Sequence, residues 1–135
     1  MKPFEKEMTY HTDRFPKPEI LSQGEYKNFK YYVLNLGTHP CAYIDVTDTK
    51  LDGVDYSDID IDCHGGLTYA KYYLNGIDES GERYFIGWDY AHICDYTGYE
   101  EMISPCIVGR KWTTKEMVNE CKDVINQIVN MLEVE

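Results

Sequence analysis

The C-terminal fifth of the chain carries the pattern that most restricts the fold. In "KWTTKEMVNECKDVINQIVNMLEVE", Met117, Val118, Cys121, Val124, Ile125, Ile128 and Leu132 recur at helical spacing and form one apolar stripe. Thr113 and Glu116 have the spacing of a capping box, with Trp112 placed for a hydrophobic staple against Met117. Asn119, Glu120, Lys122, Asp123, Asn126 and Asn130 occupy the other faces. A helix of about five turns with a single apolar stripe needs an apolar surface to cover it. The rest of the chain must supply that surface.

The preceding residues read as short strands. "NFKYYVLNL" (28–36) and "CAYIDV" (41–46), joined through "GTHP", form a hairpin pattern. "DIDIDCH" (58–64) alternates acidic and apolar residues as a third strand. "LTYAKYYL" (67–74) reads as an extended or edge segment, and "RYFIGWDY" (83–90) as the best strand, where Gly87 suggests a bulge or a close backbone approach. The connections are too short for crossover helices. The expected class is α+β: an antiparallel or mixed sheet of four to five strands packed against a C-terminal amphipathic helix. Residues 1–27, with Pro3, Pro16 and Pro18 and no clear period, read as an N-terminal arm, and 28–135 as a single domain.

The formal net charge of −11 is unevenly distributed. Residues 45–101 hold 14 acids against three bases, whereas residues 31–44 hold no Asp, Glu, Lys or Arg at all. A field of this sign repels nucleic acid and anionic membranes and suits cations or a basic protein surface. No stretch is long and apolar enough for a transmembrane helix, and the first residues lack the apolar core of a secretory signal, so a cytoplasmic protein is expected. The five cysteines are widely spaced, form no CxxC pair and argue against a disulfide framework or a zinc knuckle.

Two constellations point to chemistry. On a strand, Asp58, Asp60, Asp62 and His64 would share one face, and Gly65-Gly66 follow at once. Asp89, His92 and Asp95 follow the best strand. Were the two segments neighbours, Asp62, His64, Asp89, His92 and Asp95 would make a divalent-metal set of carboxylates and imidazoles. The plainer alternative is a solvated face whose histidines bond loop backbone. Cys63 and His64 would point to opposite faces, and no GxSxG, HExxH, P-loop or GxGxxG occurs, so the chain reads as a binder rather than an enzyme. Its 13 tyrosines suit a protein interface.

"YSDIDIDCHGGLTY", "FIGWDYAHICDY" and the C-terminal helix resemble a family of small phage and prophage proteins with an H-G-G-L-T motif followed by G-x-D-x-A-H-x-x-D. The resemblance covers roughly residues 31–130 and implies a phage-related origin, with Asp62, His64, Gly65, Gly66, Asp89, His92 and Asp95 as motif positions. Cys63 and Cys94 stand where the family's pattern has small aliphatic residues.

Together these features describe a phage-encoded acidic binding protein that antagonises a host defence factor in the manner of an anti-CRISPR inhibitor. It would act in the host cytosol through a negatively charged, tyrosine-rich surface, on a host protein with a basic surface and without direct nucleic-acid binding. The binding residues would be Asp58, Asp60, Asp62, His64, Gly65, Gly66, Tyr69, Trp88, Asp89, His92 and Asp95. One alternative is a metal-binding or metal-dependent hydrolytic protein using the Asp/His motifs. A second is sequestration of a nucleotide signal, which requires phosphate-binding Arg or Lys. The bases available for that are Lys71, Arg83, Arg110, Lys111 and those of the N-terminal segment.

Overall fold

The structure, a computed structural model, describes residues 5–10, 14–90 and 112–133. Strands β1 (Glu19–Tyr26), β2 (Phe29–Asn35), β3 (Pro40–Asp45), β4 (Tyr69–Lys71) and β5 (Phe85–Asp89) form one antiparallel sheet in the order β1-β2-β3-β5-β4. Helix α1 (Thr114–Glu133) packs on one face of it. The α+β architecture expected from the sequence is the observed one.

The amphipathic patterns explain the packing. Tyr31 and Val33 of β2, Ala42 and Ile44 of β3, and Ile86 and Trp88 of β5 point to the helix side. They meet Met117, Val118, Cys121, Val124, Ile125 and Ile128, all buried, so the stripe read from the sequence is the stripe that packs. Leu34, Cys41, Tyr43 and Phe85 alternate to the other face and gather a smaller cluster there. β3 is buried along its whole length because it is central and covered on both sides. The capping box forms as expected: the Thr113 N–H donates to Glu116 Oε1 (3.0 Å), and the Glu116 N–H donates to Thr113 Oγ1 (3.1 Å).

The arm reading needs correction. Residues 19–26 are an edge strand, joined to β2 by a two-residue turn in which Lys27 and Asn28 both have positive φ. That is the backbone of a type I′ hairpin, and Asn at its second position suits it. Prolines and the polar Gln23-Gly24-Glu25 masked the strand in the sequence. Upstream residues are tied down too: the Lys6 N–H donates to the Leu21 carbonyl (2.6 Å), Thr114 Oγ1 donates to the Lys6 carbonyl, and the Phe15 N–H donates to the Leu36 carbonyl (2.8 Å).

The third strand also needs correction. Residues 58–64 join no sheet ladder: Tyr56–Asp58 is a single 3₁₀ turn, and the chain then runs without regular structure to a turn at His64-Gly65. The two flanks of β5 are already taken by β3 and β4. Gly87 behaves as expected, since a Cβ there would lie 2.4 Å from the Tyr43 ring and 2.6 Å from the Ala42 carbonyl oxygen, a close approach rather than a bulge.

Candidate functional site

The acidic segment keeps its alternation without being a strand. Ile59 and Ile61 are buried in the main core, while Asp58, Asp60 and Asp62 are exposed. Helix side chains replace the missing ladder partners. The Asp62 N–H donates to Gln127 Oε1 (2.8 Å), and Gln127 Nε2 donates back to the Asp62 carbonyl (2.7 Å). One carboxamide thereby satisfies both backbone groups of a residue, as a neighbouring strand would. The His64 N–H donates to Glu120 Oε2 (3.0 Å). The expectation of one apolar and one acidic side is met, with α1 rather than a strand holding the segment.

Upstream, the acids continue. Asp55 caps the 3₁₀ turn, and its carboxyl is held below the usual carboxylate range by hydrogen bonds from Ser57. The Tyr72 hydroxyl donates to Asp52 (2.5 Å), lowering the Asp52 pKa and raising its own. Tyr72 packs across Tyr84 with ring centroids 4.5 Å apart, and the Tyr84 hydroxyl donates to the Val54 carbonyl (2.6 Å). Between Thr47 and Asp62 lie six acids and one lysine, and Asp48, Asp55, Asp58, Asp60 and Asp62 are exposed. Tyr56 and Tyr72, 43 % and 46 % exposed, stand with them. The result is an acidic ridge with two tyrosines rising from it.

Behind the ridge is a polar hub centred on Glu120. Its Oε1 accepts from Trp88 Nε1 (3.0 Å) and from the Tyr90 hydroxyl, and its Oε2 takes the His64 N–H. The His64 ring stacks on Tyr90 (centroids 5.1 Å apart, planes 9° apart) and lies 4.8 Å from the Trp112 ring. Burial and the Glu120 carboxylate push the Tyr90 hydroxyl pKa up. Sequence reasoning placed Glu120 on a solvent face of the helix and missed this role. A carboxylate one residue before the buried Cys121, at the border of the stripe, was the available signal.

The candidate binding set therefore divides. Asp58, Asp60 and Asp62 are on the ridge, and His64 is packed beside α1. Gly65 and Gly66 have φ of 70° and 80°, and a Cβ at Gly66 would meet nothing within 4 Å, so the backbone conformation, not close packing, calls for glycine there. Trp88 belongs to the core. Tyr69 and Asp89 lie on the opposite face of the sheet. Asp89 is paired in register with Cys41, its Oδ2 accepts from Thr68 Oγ1 (3.3 Å), and Tyr69 packs edge-on against Tyr43. His92 and Asp95 lie outside the described residues.

The metal set consequently fails to converge where it can be seen. Asp89 points to one side of the sheet, and His64 stacks on Tyr90 at the other. Among the described residues no group of three or more His, Cys, Asp or Glu side chains is arranged to hold a metal ion. Burial works against reactivity at two of the described thiols. Burial pushes Cys41, which shares a cavity with His39 and Asp89, up to about 12, and Cys63 likewise to about 12.

No helix among the described residues is long and apolar enough to cross a membrane. No protein-family model, curated protein or solved structure matches the chain.

Proposed function

We propose that this protein is a binding protein that presents its acidic ridge to a basic protein surface. The reading extends to a phage-encoded antagonist acting in the host cytosol on a nucleic-acid-handling defence factor. The observation that carries it is the ridge itself. Five exposed aspartates between Asp48 and Asp62 face one exposed lysine, and Tyr56 and Tyr72 stand ready as anchors. At the end of the ridge, Gln127 holds the backbone of Asp62 and Glu120 that of His64, so this end is presented on a supported framework. Closely spaced carboxylates resemble the phosphates along a nucleic-acid strand, and a groove built for a polyanion would take them. Such charge complementarity speeds association and selects the partner.

The test is affinity capture from bacterial lysate with purified full-length protein, in parallel with an Asp58→Asn/Asp60→Asn/Asp62→Asn variant. The expected result is a basic protein retained by the wild type, released by raising salt and lost with the variant. A partner held equally by the triple variant and at high salt would overturn the reading.

A further inference from the structure

The sheet face away from α1 is only partly covered, and its cover comes from the N-terminal segment. Residues 14–18 cross it, pinned by the Phe15 N–H to the Leu36 carbonyl (2.8 Å) and by Asn75 Nδ2 to the Pro16 carbonyl (3.3 Å). A cavity of about 440 Å³ remains between this segment, the sheet and the Tyr69–Asn75 strand and turn. Small-molecule sites occupy roughly 300–1,000 Å³. Tyr43, Tyr69 and Tyr73 give it aromatic walls, and Arg14 and Lys71 bring two cations. Neither cation has a carboxylate partner among the described residues, and the Lys71 ammonium sits 5.5 Å from the centre of the Tyr69 ring. In a chain of net charge −11, two cations at one aromatic cavity with no carboxylate partner among the described residues mark a place for an anion.

The trough is electrically polar along its length. A smaller adjoining cavity of about 240 Å³ shares Arg14, Tyr43 and Tyr69 with the larger one but has Asp89 and Thr68 in place of Lys71. An occupant would set its anionic group at the Lys71 end and a hydrogen-bond donor towards Asp89, with a planar ring against the tyrosines.

We infer that this trough is a binding site for a small ligand joining a planar ring to a phosphate, of the nucleoside monophosphate class. Ring stacking on tyrosine tolerates any base, so the class and not one base is specified. The site is on the opposite side of the sheet from the acidic ridge and stands independently of it.

Calorimetric titration of the full-length protein with AMP, GMP, CMP and UMP tests the inference, with inorganic phosphate and adenosine as the two halves of the ligand. At least one nucleotide should bind at one site, about tenfold or more tighter than either half alone. Arg14→Gln and Lys71→Gln should each weaken binding about tenfold, the loss expected for one charge-assisted contact. Both side chains are exposed, so the variants keep the fold, which circular dichroism verifies. Asp60→Asn, on the ridge, should leave nucleotide affinity unchanged. No binding by any of the four at millimolar concentration, phosphate alone binding as tightly as the nucleotides, or an affinity unchanged in either cation variant would each overturn the inference.

Discussion

The two faces of the sheet are built from the same alternating strands yet finished differently. The helix side is closed by a continuous apolar core running from Leu21 to Ile128. The other side holds a smaller cluster around Leu34, Tyr43 and Phe85, roofed by the segment 14–18 and the turn after β4. The closed face supplies stability and, at its border, presents the acidic ridge. The open face retains a trough with aromatic walls and cations. The core and the two proposed binding surfaces thus use different residues, so stability and binding can be separated by mutation.

The largest effect should come from the closed face. Ile125→Ala removes a fully buried side chain from the core between α1 and the sheet, and should cost about 2–5 kcal/mol in a denaturant titration. Tyr73→Ala, on the open face and 44 % exposed, should change stability by no more than about 0.5 kcal/mol. Equal losses would erase the distinction between the faces.

Next comes the hub. Glu120→Ala leaves the Tyr90 hydroxyl and the His64 N–H without their acceptor, and Trp88 Nε1 with only the Tyr90 hydroxyl oxygen (3.0 Å), a loss of about 2–4 kcal/mol that chemical denaturation would read, together with a shift in tryptophan emission. Glu120→Gln keeps a carbonyl acceptor and should cost less. Gln127→Ala should cost about 1–2 kcal/mol and speed hydrogen exchange at the Asp62 amide, whose acceptor it removes. An unchanged exchange rate at Asp62 would show that the ridge needs no support from α1.

Much of this architecture was legible in the sequence because it rests on periodicity. The helical stripe, the capping box, the β2–β3 hairpin and β5 each announce themselves within a few residues. The misreadings have local causes. β1 is an edge strand of eight residues whose identity depends on pairing with β2, and its only strong local sign is the Lys27-Asn28 turn. The segment 58–64 has the period of a strand because one side of it packs on the core, but pairing depends on a free sheet edge, which no local pattern encodes. Glu120 and Gln127 look like solvent-facing helix residues until the segment they hold is brought against them. The trough was unreadable for a similar reason: Arg14 and Lys71 are 57 positions apart in the sequence, and only the fold brings them to one cavity.

Smaller effects concern titration and thiol chemistry. The pKa values of Asp52, Asp55 and Asp78 are lowered by hydrogen bonds from Tyr72, Ser57 and Ser80. A carboxyl with a depressed folded-state pKa contributes stability above its unfolded pKa and loses it as the pH falls through the folded value. Stability should therefore decline below the ordinary carboxylate range rather than near neutrality. Tyr72→Phe should return the Asp52 pKa upward towards its usual value, as carboxyl NMR titration would show. Cys41 and Cys121, whose thiol pKa values burial raises, should resist iodoacetamide at pH near 8 until the chain unfolds.

The division of labour between the faces is tested most directly by one pair of NMR titrations on the isotope-labelled protein, with an oligolysine peptide and with AMP. The peptide should move amide signals between Asp55 and Asp62 and leave Tyr43, Tyr69 and Lys71 in place, and AMP should do the reverse. Both ligands shifting the same residues, or the peptide spreading evenly over every exposed carboxylate, would contradict the assignment of the two surfaces to different partners.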